Sequence, residues 1–197
     1  MQDCLEEFAM DTKETILSCA TSLFANRGYD AVGIQEIVVS AGITKPTLYY
    51  HFGSKLGLLE AIADSYFGIL IEKVETATAY HGDITSTLSE IMTTIFDFSR
   101  DHQDFYRMQL GMNFSPPGNE ANQVIRQKNE TLFHVIENLF EKSSVDHGNM
   151  KGRQSAYAAT FIGMINTYIG LALNGYLVLD QNLIVQALHQ FMHGIFS

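Results

Sequence analysis

The stretch AGITKPTLYYHFGSKLGLLEAI, residues 41–62, decides the fold, because a tight turn and a capped short helix stand back to back in it. Gly42 has no side chain and suits a left-handed turn, and Thr44 can cap the helix that follows. Pro46 falls in that helix's first turn, where a missing amide proton costs nothing. Just upstream, Ile34, Ile37, Val38 and Ala41 recur at helical spacing as a short amphipathic helix. Residues 34–52 thus have the pattern of a helix-turn-helix, whose second helix can enter a major groove. Leu48 and Phe52 lie one turn apart, and turned inward they anchor that helix to Ile16, Phe24 and Ile37. The opposite face then presents Thr44, Lys45, Thr47, Tyr49, Tyr50 and His51, whose polar groups match phosphate oxygens and base edges.

Working outward, glycine and proline punctuation together with helical periodicity divides the chain into about nine helices, and no alternating strand pattern appears. The expected fold is all-α. Asp11 and Glu14 have the spacing of a capping box, and Ile16, Ala20, Leu23 and Phe24 repeat behind it until Gly28 ends the first helix. A long fourth helix begins near Ser54 and carries Leu58, Leu59, Ile62, Phe67, Leu70 and Val74 to a break at Tyr80–Asp83. Further helices are expected near 84–100, 102–113, 119–143, 152–176 and 181–196, with Ser115, Pro116, Pro117 and Gly118 as the clearest loop. The working division is a three-helix head, residues 1–53, and a larger helical body, residues 54–197.

The formal net charge of −10 argues by itself against a nucleic-acid partner. Its distribution reverses that, since no acidic residue lies between Glu36 and Glu60, the window that holds Lys45, Lys55 and His51. Two cysteines, Cys4 and Cys19, are too few for a disulfide framework or a zinc site, which fits a reducing cytoplasm. The first seven residues are acidic rather than basic and apolar, so an export signal is not expected. Ser155–Leu179 carries no formal charge over a length that could span a bilayer. Its two asparagines, three tyrosines and three glycines, and the lack of a strong basic cluster on one flank that would fix an orientation, favour a helix covered on several sides in a soluble bundle. No membrane partner is expected.

From Thr12 to Ala61 the sequence resembles the head of the TetR family almost position by position: Tyr49, His51, Phe52 and Lys55 follow the AGI turn at the family's spacing. The resemblance implies a homodimeric regulator of double-stranded operator DNA, released when a small molecule enters the body. It implies that Lys45, Pro46 and Thr47 approach bases and that Tyr49 and His51 clamp phosphates or thymine methyls. Lys55, with the amino end of the fourth helix, would hold a further phosphate. Tyr50 is open to partial packing as much as to DNA contact. One departure stands out: Gly33 occupies the start of the second helix, where the family commonly has threonine or serine. A side-chain phosphate contact is lost there, while the backbone amide remains available. The resemblance covers the first third of the chain; beyond it only helix count and length agree.

In the body, the helix near 152–176 has one apolar stripe of Tyr157, Phe161, Met164 and Tyr168 and another of Ile162, Asn166, Ile169 and Leu173. With Ile184, Leu188, Phe191 and Ile195 of the last helix, the second stripe is the expected dimer interface, a four-helix arrangement across two copies. Gly163 and Gly170 would let a partner backbone come close. The resemblance places a ligand cavity among helices four to eight, and Phe67, Phe96, Phe105, Met108, Met112, Phe161 and Tyr168 are candidates to line it. Asn166 and His134 are either polar anchors there or an interface asparagine and a surface histidine. His189 and His193 have a one-turn spacing but no third ligand of fitting spacing, so no metal is expected. No phosphate loop, serine elbow or convincing carboxylate pair appears, so neither a catalytic residue nor a cofactor is expected. The competing reading is a helical small-molecule-binding module without operator binding.

Overall fold

The computed structural model describes residues 2–194, and side chains from Thr12 on, Asn149 excepted. Among these residues there are nine α-helices and no strand: α1 (Gln2–Arg27), α2 (Ile34–Ser40), α3 (Lys45–Phe52), α4 (Lys55–Ala77), α5 (Ile84–Asp101), α6 (Gln103–Asn113), α7 (Glu120–Ser143), α8 (Gln154–Leu173) and α9 (Gln181–His193). A single 3-10 turn, Gly148–Met150, precedes α8. The expected elements are present and their ends agree within a few residues, with two differences. The first helix starts at Gln2 rather than behind Asp11, because no glycine or proline interrupts residues 2–10. The eighth ends at Leu173, where Asn174 and Gly175 (φ +77°) turn the chain.

Two compact units partition the chain, and the divisions fall inside α4, after the first residue of α6, and inside α7. The first comprises residues up to Tyr66 together with Asp104–Arg126. Its core is formed by Ile16, Ala20 and Phe24 of α1, Ile37 and Val38 of α2, Leu48 and Phe52 of α3, and Leu58, Leu59 and Ile62 of α4. Phe105, Tyr106, Met108 and Met112 of α6 are buried as well. Asn122 is buried and donates to the carbonyls of Met112 and Asn113 at 3.0 Å each, satisfying the carbonyl end of α6 from the first turn of α7. The inclusion of residues 104–126 in this unit was not expected from sequence.

The second unit comprises Phe67–Gln103 and the residues from Gln127 on. Asp83 caps α5 by accepting from the Ser86 amide at 3.0 Å, and Asp180 caps α9 by accepting from the Leu183 amide at 2.8 Å. Phe140, Phe161 and Phe191 meet in a ring cluster that joins α7, α8 and α9. Arg100 at the end of α5 donates to the Leu179 carbonyl at 2.7 Å, which fixes the loop before α9. Among the described residues one helix, α8, is long and apolar enough to cross a membrane. Only 22% of its most apolar stretch is buried within the chain, so its apolar surface calls for another cover.

Candidate nucleic-acid interface

The geometry of α3 follows from its ends. Gly42 sits at φ +65° and closes the turn after α2, a conformation that a side chain would strain. Thr44 is the N-cap, its Oγ1 accepting from the Thr47 amide at 3.4 Å and lying 2.8 Å from the Thr47 hydroxyl. At the other end Gly53 takes φ +71° and its amide donates to the Tyr49 carbonyl at 2.9 Å. Between these ends the helix is divided by burial. Leu48 is 0% and Phe52 9% exposed, whereas Tyr49 is 48% and Tyr50 85% exposed. Thr44, Lys45 and Pro46 are exposed and Thr47 and His51 half-buried, so α3 offers a polar, aromatic face away from its core. Tyr50 and His51 stack edge to face with centroids 5.2 Å apart.

Gly33 is the N-cap of α2, in extended backbone. Its amide donates to Glu36 Oε1 at 3.2 Å, and the other oxygen of Glu36 pairs with Arg27. Glu36 thus takes up the Gly33 amide, which the sequence had left available to a phosphate, while no side chain of Gly33 caps the first turn; Arg27, which the sequence reading passed over, stands beside the start of α2. Ser54 Oγ accepts from the Gly57 amide at 2.9 Å and so caps α4. Gly57 is a second residue that the sequence reading missed: a Cβ there would lie 2.2 Å from the Phe52 carbonyl oxygen.

Lys55 is less free than a phosphate-binding lysine in solution. Its ammonium lies 4.0 Å from the centroid of the Tyr29 ring, and Tyr29 donates through its hydroxyl to Glu120 Oε1 at 2.5 Å. Burial lowers the Lys55 pKa below the ordinary lysine range, against the pull of Asp30, Glu120 and Glu36. Burial, and then the bond to Glu120, raises that of Tyr29.

Residues 16–62, which include both helices of the motif and the start of α4, match the family model described as bacterial regulatory proteins, tetR family. The head of the chain, over these residues, is thus similar to the DNA-binding head of the TetR family. Over 179 residues it is 28% identical to the HTH-type transcriptional activator FasR of Mycolicibacterium smegmatis, a span of 91% of this chain and 80% of FasR. The fold matches that of the transcriptional regulator FadR of Bacillus subtilis, solved with stearoyl-CoA. That match has a TM-score of 0.77 and 18% identity over 92% of this chain and 98% of FadR. AibR, solved with isovaleryl coenzyme A and operator DNA, matches with a TM-score of 0.73 and 20% identity over 91% of this chain and 97% of AibR. At such identities the two structures speak to fold alone.

The residues expected to line a ligand cavity fall into three groups. Met108 and Met112 line a cleft of about 530 Å³ in the first unit, with Phe24, Arg27, Tyr29 and Arg107. In the second unit, Tyr168 lines a groove of about 490 Å³ with Tyr157, Met164 and Phe191. Phe67, Phe96, Phe105 and Phe161 are at most 1% exposed, and Phe105 stacks on Tyr66 at 4.6 Å. Of the expected interface residues, Ile169, Ile184 and Leu188 are buried within the chain, and Ile162, Asn166, Leu173 and Phe191 are half-buried. Ile195 lies outside the described residues. A Cβ at Gly163 or Gly170 would meet nothing within 4 Å, so both positions face open space. His134 is exposed and 3.0 Å from Glu137. The rings of His189 and His193 are 4.8 Å apart, and among the described residues no group of three metal-ligating side chains occurs.

Proposed function

We propose that this protein is a ligand-responsive transcriptional repressor that grips a pseudo-palindromic operator as a homodimer and is released by a small, largely apolar molecule. The observation that carries the reading is the division of α3, with Leu48 and Phe52 buried and Tyr49, Tyr50 and Lys45 turned outward within a window free of acidic residues. Lys45, Pro46 and Thr47 read base edges, Thr44, Tyr49 and His51 hold backbone and thymine methyls, and Tyr50 flanks them. Lys55 meets a phosphate at the start of α4, and the Gly33 amide meets one at the start of α2 once it gives up its bond to Glu36; helix dipoles favour an anion at both places.

Residues 1–53 form the DNA-binding domain and residues 54–197 carry ligand and partner contacts. A second copy covers the exposed apolar surface of α8 and α9, with Gly163 and Gly170 admitting its backbone. Pairing is what sets two recognition helices about 34 Å apart, in successive major grooves. FadR was solved with stearoyl-CoA and AibR with isovaleryl coenzyme A, so acyl thioesters are the first effectors to try. Ligand and operator bind different states, and each therefore weakens the other by the same factor. The protein works in the cytoplasm, where the operator is.

The test is a selection of bound sequences from random duplexes, followed by titration of the recovered duplex with and without stearoyl-CoA and isovaleryl-CoA. Saturable binding that falls steeply with salt and weakens with one thioester is the expected result. Equal operator affinity with every thioester rejects that effector class. No saturable duplex binding rejects the DNA-binding reading and leaves a helical ligand-binding module.

A further inference from the structure

Lys55 is set among groups that restrain its ammonium. It is the first residue of α4, where the helix dipole disfavours a cation and favours an anion. Its ammonium rests on the Tyr29 ring at 4.0 Å, and that ring is 5% exposed, wedged beside Phe24 with centroids 5.2 Å apart. The Tyr29 hydroxyl donates to Glu120 Oε1 at 2.5 Å. A phenol that donates to a carboxylate has a more electron-rich ring, so the charge of Glu120 reaches Lys55 both through space and through the ring face. A second bond holds the same contact closed. Asn119 Nδ2 donates to Asp30 Oδ2 at 2.7 Å, while Asn119 Oδ1 accepts from the Ala121 amide at 2.8 Å. Two successive residues at the start of α7 are therefore tied to two successive residues of the loop after α1.

We propose that Glu120, acting through Tyr29, is a built-in competitor of the operator: it holds the Lys55 ammonium that a DNA phosphate takes when the protein binds. This rests on the operator-binding reading and adds its regulation. Glu120 and Tyr29 are positioning residues, since neither meets DNA. In the free protein Lys55 is drawn onto the Tyr29 ring, and in the complex it leaves for the phosphate at the amino end of α4. Glu120 belongs to the first turn of α7, so whatever presses that turn against Tyr29 withdraws Lys55 from DNA. Whatever lifts the turn away releases Lys55.

The experiment measures fluorescence anisotropy of the duplex recovered by selection, at one fixed salt concentration, for the parent and the variants Glu120→Gln, Tyr29→Phe, Lys55→Ala and Lys55→Ala/Glu120→Gln. Losing the anion behind the ring should tighten operator binding by about three- to tenfold in Glu120→Gln, the scale of a partly desolvated cation–π contact. Tyr29→Phe keeps the ring and loses the bond, and should show a smaller gain of the same sign. In the Lys55→Ala background the Glu120→Gln change should have no effect, which separates competition for Lys55 from a general loosening of α7. An unchanged or weaker affinity in both single variants overturns the proposal, as does a gain that persists without Lys55. If the parent binds but Glu120→Gln and Tyr29→Phe bind like it, this inference falls alone; if the parent binds no duplex, the functional reading falls with it. A melting curve for each variant checks folding, and Tyr29→Phe carries the test should Glu120→Gln unfold.

Discussion

Replacing Gly57 by alanine should damage the head through a single contact. The new Cβ would lie 2.2 Å from the Phe52 carbonyl oxygen and 3.3 Å from the carbonyl carbon. Restoring an ordinary contact requires the carbonyl and the first turn of α4 to part by roughly 1 Å. The carbonyl is not free to swing, because it already accepts from the Ser54 amide at 2.7 Å and belongs to a residue only 9% exposed. Overpacking of this kind costs about 1–3 kcal/mol, and a weakened hydrogen bond adds about 1 kcal/mol. The better helix propensity of alanine returns about 0.5–1 kcal/mol. A net loss of about 2 kcal/mol should lower the melting temperature by about 4–8 °C for a chain of this size. The same displacement moves the end of α3 relative to α4, and losing one base contact worth about 1–3 kcal/mol weakens operator binding by tenfold or so. Circular dichroism melts and anisotropy against the selected duplex read both effects. Gly68→Ala is the internal control, since it lies in the same helix with nothing within 4 Å of its Cβ, and it should leave the melt unchanged or raise it. A Gly57→Ala protein that melts within about 2 °C of the parent and binds the duplex equally would refute the reasoning.

Tyr49→Ala should weaken operator binding by about tenfold with helicity and dimerisation intact, because its ring is half exposed and carries little of the core; a variant that binds like the parent would remove Tyr49 from the interface. Lys55→Ala should reduce the slope of log affinity against log salt by about one, the signature of one phosphate contact, and an unchanged slope would deny that role. Burial lowers the Lys55 pKa, while a bound phosphate favours the charged form, so operator affinity should fall as pH rises toward the ordinary lysine range. Lys55→Arg stays charged and should lose that dependence; parallel curves for the two proteins would count against it. Gly163→Arg places a bulky cation where the α8 surface is open, and should convert a dimer to a monomer in sedimentation equilibrium while α8 remains helical; a dimer that survives would place the interface elsewhere.

Local chemistry was legible at most helix ends, though not at Asp11, where the expected start of α1 lies inside a continuous helix. Thr44, Gly53, Asp83 and Asp180 mark helix ends by hydrogen bonds to residues at most four positions away, and such short-range rules do not depend on the rest of the fold. The alternation of Leu48 and Phe52 with Tyr49 and Tyr50 likewise told the buried face of α3 from the open one, because helical period alone puts residues four apart on one side. The ligand candidates were less legible. Phenylalanine at a core position and phenylalanine at a cavity wall obey the same hydrophobic pattern, and Phe67, Phe96 and Phe161 are packed too closely to be told apart by it.

By itself the sequence determined an all-helical chain, the places where its helices stop, and a head whose second helix in the motif turns polar groups outward, since each depends on spacing and on neighbours within a turn or two. Tertiary structure alone decided that residues 104–126 share a compact unit with the residues up to Tyr66, that Tyr29 reaches Glu120 across ninety-odd positions, that Lys55 lies on a phenol ring, and that Gly57 has no room for a methyl group. The physical reason is that such contacts are set by how helices distant in sequence pack side by side, and no periodicity within one helix carries the identity of its neighbour.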